Sequence, residues 1–246
     1  MGKIDRTGEE TRNNFGSKMK IVDYRNANDI DVYFEEYDCI VKNKAYTNFI
    51  KGKINCHYER KTYGVGYIGE GNYKPLINNK KTRVYNTWNN MIKRCYDEKF
   101  QSNNSTYIGC KVCDEWLCFQ NFANWYENNY YEIEGELIEL DKDILVKGNK
   151  IYSPDTCIFV PHRINSLFVK RNSKRGKYPI GVTPHRNKFS AECEIKLGVY
   201  NTVEEAFQVY KKFKENYIKE IAEEYKNKIP LKLYKAMYNW EVEITD

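Results

Sequence analysis

No apolar run in this chain approaches the roughly 20 residues a membrane-spanning helix needs; the longest are of the size of "CIFV". The opening "MGKIDRTGEE" also lacks the apolar stretch of a secretory leader. A soluble protein of the reducing cytoplasm, with no membrane partner, is therefore expected. Histidine is scarce, with three residues scattered at positions 57, 162 and 185, which adds little to any metal site. The sequence shows no internal repeat and no low-complexity tract. It also lacks a phosphate-binding glycine loop: "YGVGYIGEGNYKP" has the glycines but neither a strand-to-helix context nor a following Lys-Ser/Thr. The eight cysteines are expected to be thiols, most of them small buried hydrophobes. A closed zinc site usually shows two paired knuckles, whereas only "CKVC" (Cys110, Cys113) is present, with Cys95, Cys118 and Cys157 elsewhere. A structural Zn²⁺ is accordingly not expected.

What is present is a mildly basic, tyrosine-rich chain. Its 246 residues carry Lys+Arg 40 against Asp+Glu 34, a net charge of +6 and a pI near 8.7. That balance favours polyanionic partners without the character of a basic tail. Aromatics make up 15% of the chain, including 22 tyrosines, at a mean hydropathy of −0.79. Amphipathic rings suit small cores with wet edges and surfaces that touch nucleic acid.

The hydropathy pattern divides the chain. Over "KMKIVDYRNANDIDVYFEEYDCIVK", Ile30, Val32 and Phe34 alternate with Asp29, Asp31 and Tyr33, with a turn at "RNAND" and a break at "EEYD". This predicts a small antiparallel module over residues 1–58. Residues 59–82 read as a glycine-rich linker or arm. From Arg83 the period turns helical, with Val84, Trp88, Met91, Ile92 and Cys95 on one face. A second helix follows at "DEWLCFQNFANWYENN", with Asp114 as N-cap and Trp116, Phe119, Phe122, Ala123 and Tyr126 inward. Near the C-terminus, Phe189, Ala191, Cys193 and Ile195 alternate with Ser190, Glu192, Glu194 and Lys196, predicting a sheet with one wet face. Thr202 and Glu205 form a capping box for a helix whose Val203, Ala206, Phe207, Tyr210, Phe213, Ile221 and Tyr225 share a face. A sheet with one helix across it leaves its other side open to a partner.

The stretch "LDKDILVKGNKIYSPDTCIFVPHRIN" carries the candidate chemistry. "ELIELDKDIL" reads as a strand, "VKGNKIYSPDT" as a loop, "CIFV" as a returning strand and "PHRINSLF" as a helix with Pro161 in its first turn. Such a hairpin and helix bring Asp141 towards Asn165. One carboxylate and one amide oxygen make a half-shell for Mg²⁺ (or Mn²⁺), which keeps several waters and takes phosphate oxygens.

The stretch resembles the ββα-metal core of the HNH endonucleases, and more closely those of phage proteins of the homing-endonuclease type. That resemblance implies an aspartate (Asp141) and a helical asparagine (Asn165) on the metal, with a histidine as general base. The histidine position is Lys142. A lysine at its ordinary pKa near 10.4 is free base in only about one part in several thousand at neutral pH. Asp143, next door, and His162, one helical turn before Asn165, are the other candidate bases. Asn149 matches the orienting asparagine of the family's loop.

The C-terminal "GVTPHRNKFSAECEI" and "LGVYNTVEEAFQVYKKFKENYIKEIAEEY" resemble the Apetala/ethylene-response-factor DNA-binding domain, which implies a three-stranded sheet laid in the major groove. His185, Arg186, Lys188 and Lys196 are then the candidate contacts, together with Lys170, Arg171, Lys174 and Arg175 of the basic joint "KRNSKRGK". The third strand is clipped relative to that family. The chain is thus expected to be α+β: a small β module over 1–58, an arm over 59–82, an HNH-like ββα-metal core with two preceding helices over 83–170, and an Apetala-type domain over 171–246. The leading expectation is a phage-type endonuclease in a bacterial host, nicking double-stranded DNA with Mg²⁺. The alternative is a non-cleaving DNA-binding relative that regulates or inhibits a host nucleic-acid enzyme.

Overall fold

Residues 4–169 and 177–246 are described by a computed structural model. They form a mixed α and β protein with several small antiparallel sheets, divided into two compact units, up to Tyr126 and from Glu127 on. The expected divisions at 82/83 and 170/171 fall inside these units, and the helices expected to precede the hairpin core lie largely in the first. No described helix is long and apolar enough to cross a membrane.

The first unit opens with a four-stranded antiparallel sheet, β1 (Glu10–Arg12), β2 (Lys18–Asn26), β3 (Asp29–Phe34) and β4 (Cys39–Lys44), in sequential order. Strict alternation sets its faces: Ile30, Val32 and Phe34 are buried while Asp29, Asp31 and Tyr33 are partly open. The buried row packs with Met19, Ile21, Val41 and Phe49, the last from helix α1 (Tyr46–Ile50). The glycine-rich stretch is a packed arm rather than a free linker. Tyr67 N–H donates to Leu117 O and Phe119 N–H to Tyr67 O, both at 2.9 Å. Gly66 lies so close to Trp88 that a Cβ there would sit 2.9 Å from the indole. The arm ends in the two-residue strands β5 (Leu76–Ile77) and β6 (Lys80–Lys81).

Helix α2 (Arg83–Tyr96) is capped by Thr82 and buries Trp88, Met91, Ile92 and Cys95, the face expected from its period. After α3 (Glu98–Asn103) and a two-residue strand β7 (Lys111–Val112), the second aromatic helix differs from its expected form. It breaks into α4 (Asp114–Leu117) and α5 (Phe119–Asn129), because Cys118 is extended where it bridges to Tyr67. Cys113, not Asp114, is the N-cap. Asp114 sits in the first turn, where a carboxylate still meets the positive helix end.

In the second unit β8 (Ile138–Asp141) pairs antiparallel with β10 (Ile158–Pro161), across a loop holding the short β9 (Ile151–Tyr152), and α6 (His162–Ser166) follows at once. A three-stranded antiparallel sheet then runs β11 (Val182–His185), β12 (Lys188–Cys193), β13 (Ile195–Tyr200). The long α7 (Val203–Tyr225) starts from the expected capping box, with Thr202 Oγ1 accepting from Glu205 N–H. Its N-terminal half packs Ala206, Phe207 and Tyr210 against the sheet residues Val182, Ala191 and Cys193. Its C-terminal half packs Ile218, Ile221, Ala222 and Tyr225 against Ile144, Ile158, Val160 and Ile164, with Leu233 and Met237 of α8 (Leu231–Tyr238). One helix therefore supports both the hairpin and the sheet.

The expected alternation in this sheet holds only in part. Ser190 is buried rather than wet, and the register shifts between Ala191 and Glu192. Ile195 is 59% exposed instead of joining the apolar row, because Glu194 takes a positive φ of 55° and ends the strand's alternation there.

Candidate functional site

The β8 strand sets the geometry of the candidate centre. Ile138 and Leu140 point into the core, so Glu139 and Asp141 share the other face. Asp141 closes the strand: its Oδ1 accepts from the backbone N–H groups of Asp143 at 2.8 Å and Ile144 at 2.7 Å. Burial pushes its carboxyl pKa up, against the opposing pull of those two N–H donors. Its Oδ2 accepts no hydrogen bond among the described residues.

Lys142, at the position where the family resemblance requires a histidine, is only 6% exposed. Its Nζ donates to Asp143 Oδ1 at 2.6 Å and to Asn149 O at 2.7 Å, and lies 5.9 Å from the Tyr152 ring centroid. Asn149 returns the contact, with Nδ2 donating to Lys142 O at 2.9 Å and to Ile151 O at 2.7 Å, while its Oδ1 accepts from Ile151 N–H at 3.1 Å. These two side chains and Asp143 knit the loop between β8 and β10.

Asn165 does not hydrogen-bond to Asp141. Its Nδ2 donates to Glu139 Oε2 at 2.8 Å, one pleat back along β8. His162 Nδ1 lies 3.2 Å from the same oxygen, and its ring is mostly in solvent. Glu139 is the residue that the sequence reading missed. The signal was its spacing of two from Asp141, which places both carboxylates on one face. Helix α6 is held by Ile164 in the core and by Arg163, whose guanidinium forks onto Glu224 of α7, one contact being 2.9 Å. Tyr225 of α7 also donates to Glu136, just before β8, at 2.7 Å.

Compared with protein-family models, with curated proteins and with solved structures, the chain matches none. The site must be read from its own atoms. Asp141 Oδ2, the Asn165 amide oxygen and Glu139 are hard oxygen donors of the kind Mg²⁺ takes, one or two carboxylates sufficing beside water and phosphate. Among the described residues no three His, Cys, Asp or Glu side chains gather as a metal-binding group. None of the eight cysteines is in a disulfide; Cys110 is buried and Cys113 has its pKa raised by burial.

The second candidate surface is the side of the C-terminal sheet that α7 leaves open. Thr183 and Ser190 pair in register, as do His185 with Lys188 and Glu192 with Lys196, so each pair shares a face. His185, Arg186 and Lys188 are exposed at the β11–β12 turn, where Arg186 takes a φ of 55°. Lys196 is exposed on β13 beside Glu192, whose carboxylate accepts from Ser190 Oγ at 2.9 Å. Lys170, Arg171, Lys174 and Arg175 lie outside the described residues.

Proposed function

We propose that this chain binds double-stranded DNA through the open face of its C-terminal sheet, with the ββα hairpin serving as scaffold rather than as nuclease. The observation that carries this reading is the turn at residues 185–188, which holds His185 and Lys188 exposed on the side of the sheet opposite α7, with Arg186 exposed at its tip. An arginine at a strand turn can fork onto guanine O6 and N7 in the major groove, while lysines neutralise phosphates. A groove-reading sheet needs a supporting helix on one face, and Ala206, Phe207 and Tyr210 supply it; on the other face Thr183, His185 and Lys188 are exposed while Ser190 is buried. Such a protein would act as a regulator at its site or as an inhibitor of an enzyme working on the same DNA.

The absence of cleavage in this reading rests on Lys142. A buried lysine amine that donates to Asp143 and to the Asn149 carbonyl is occupied in holding the loop and is not turned towards an attacking water.

A second reading, Mg²⁺-dependent nicking, is favoured by one specific arrangement. His162 faces Glu139 through Nδ1 while most of its ring is in solvent, and a carboxylate on one ring nitrogen is how an imidazole is oriented as a base. Asp141 Oδ2 and the Asn165 amide oxygen would hold the metal, which would supply Lewis-acid stabilisation of the phosphate charge.

Both readings are tested on one preparation. Duplex binding is measured across salt, beside nicking of supercoiled plasmid with Mg²⁺ or Mn²⁺, for the parent and for Asp141→Ala, Asn165→Ala, His162→Ala and Lys142→His. Salt-sensitive binding without nicking by the parent supports the scaffold reading. Nicking by the parent that is lost in Asp141→Ala and His162→Ala overturns it in favour of the nuclease.

A further inference from the structure

The hairpin formed by β5 and β6 exposes apolar and charged side chains together. Leu76 and Ile77 are 51% and 57% exposed, and Asn78, Asn79, Lys80 and Lys81 are exposed beside them. The turn is tight: Asn78 and Asn79 take φ values of 50° and 59°, the left-handed pair that a two-residue hairpin loop requires. Its base is clamped. Thr82 N–H donates to Pro75 O at 2.9 Å and Thr82 Oγ1 to Lys74 O at 3.2 Å, while the same residue caps α2. The incoming arm is held by Gln120, which accepts from Tyr73 N–H at 3.0 Å and donates to Tyr73 O at 2.9 Å. The projection therefore has a rooted base and a bare tip.

Along the sequence the charge of this stretch is of one sign. Between Gly71 and Tyr96 the chain has six cations (Lys74, Lys80, Lys81, Arg83, Lys93 and Arg94) and no carboxylate. Lys74 and Lys80 make no ion pair among the described residues, and Lys81 lies over the Tyr85 ring at 5.7 Å.

The register makes the partner specific. Leu76 pairs with Lys81 and Ile77 with Lys80, and paired residues share a face while consecutive ones alternate. Each face of the ribbon thus carries one aliphatic side chain and one ammonium. A lipid surface or a hydrophobic groove would call for the aliphatics on one face and the charges on the other. A blade with the same mixture on both sides suits a cleft with two anionic walls. The major groove of B-DNA is such a cleft, about 12 Å wide and able to admit a two-stranded ribbon.

We propose that residues 74–83 form a DNA-contacting finger that enters the major groove tip first. Lys80 and Lys81 meet the phosphates of opposite walls. Leu76 and Ile77 lie against thymine methyls, and Asn78 and Asn79 reach base edges, where an asparagine amide matches adenine N6 and N7. This rests on the double-stranded-DNA reading above but assigns a second contact region, in the other unit of the chain.

The test measures binding of the full chain to fluorescent A·T-rich and G·C-rich duplexes between about 50 and 200 mM salt. Three double variants are compared: Lys80→Ala/Lys81→Ala, Asn78→Gly/Asn79→Gly, whose glycines keep the turn, and Arg186→Ala/Lys188→Ala on the sheet. With unchanged circular dichroism, loss of the two lysines lowers the slope of log affinity against log salt by about 2 and the affinity at the higher salt by about tenfold. The glycine pair leaves that slope in place and reduces the preference for the A·T-rich duplex. The finger is overturned if the sheet variant weakens binding while both hairpin variants bind as the parent does, an outcome that leaves the DNA reading standing. A parent chain with no salt-sensitive duplex binding removes the DNA reading, and the finger with it. Loss of the lysine effect alone removes the phosphate contacts, and an unchanged A·T preference in the glycine pair removes the base contact.

Discussion

Lys142 and Asn149 clasp each other through main-chain carbonyls: Lys142 Nζ donates to Asn149 O at 2.7 Å and Asn149 Nδ2 donates to Lys142 O at 2.9 Å. At the place where the HNH resemblance calls for a proton acceptor, the chain has a fastener.

That clasp has a measurable worth. Asn149→Ala removes two donated bonds and one accepted bond, and Lys142→Met removes the buried ammonium while keeping most of its bulk. Each is expected to lower stability by about 1–3 kcal/mol, the range for hydrogen-bond partners left unsatisfied, with Asn149 towards the lower end because it is only half-buried. Urea unfolding checks it, and an unchanged midpoint in both variants would mean that the loop is held by something else.

The N-terminal sheet carries a pH-dependent tie. Arg25 donates to Asp29 Oδ2 at 2.7 Å and Asp31 Oδ1 at 2.6 Å, and its hydrogen bonds hold both carboxyl pKa values below the usual carboxylate range. A carboxyl whose folded pKa is lowered contributes stability above its unfolded pKa and loses it as pH falls through the folded one. Stability of the parent should therefore drop on acidification below the ordinary aspartate range. Arg25→Met should flatten that limb of a melting-temperature profile, and an identical acid limb in parent and variant would count against the tie.

Gly181 fixes the start of the C-terminal sheet. It takes a φ of 75°, and a Cβ there would sit 1.9 Å from the Tyr210 ring of α7. Gly181→Ala is expected to cost at least about 1–3 kcal/mol, through backbone strain and the displaced ring. The loss should appear as lower thermal stability and as weaker duplex binding. A smaller cost of Gly181→Ala in a Tyr210→Ala background than in the parent would locate the clash.

The capping box makes the mildest prediction. Thr202 Oγ1 accepts from Glu205 N–H at 3.1 Å, and Glu205 Oε2 accepts from Thr202 N–H at 3.3 Å. Thr202→Ala should destabilise the chain by about 1 kcal/mol, with Thr202→Ser close to the parent. Thermal melts that leave the alanine variant unshifted would show that packing alone sets the start of α7.

Local pattern was sufficient for much of this protein. The period-2 run around Ile30, Val32 and Phe34, the helical stripe from Trp88 to Cys95, the Thr202 cap and the hairpin ending in Pro161 each depend on residues a few positions apart, so the sequence by itself determined them. Tertiary contact decided the rest. The glycine-rich arm is packed because Gly66 meets Trp88, and that contact spans 22 residues and leaves no periodic trace. The aromatic helix breaks at Cys118 because the arm takes its backbone bonds there. In the candidate centre, sequence pointed to Asp141, Asn149 and Asn165, but only the pleat of β8 against α6 selected Glu139 as the carboxylate that Asn165 holds. Burial decided for Lys142: the sequence shows a lysine where a histidine was sought, and only the fold shows it engaged with a loop seven residues on, since hydrogen-bond geometry across a loop has no signature in residue order.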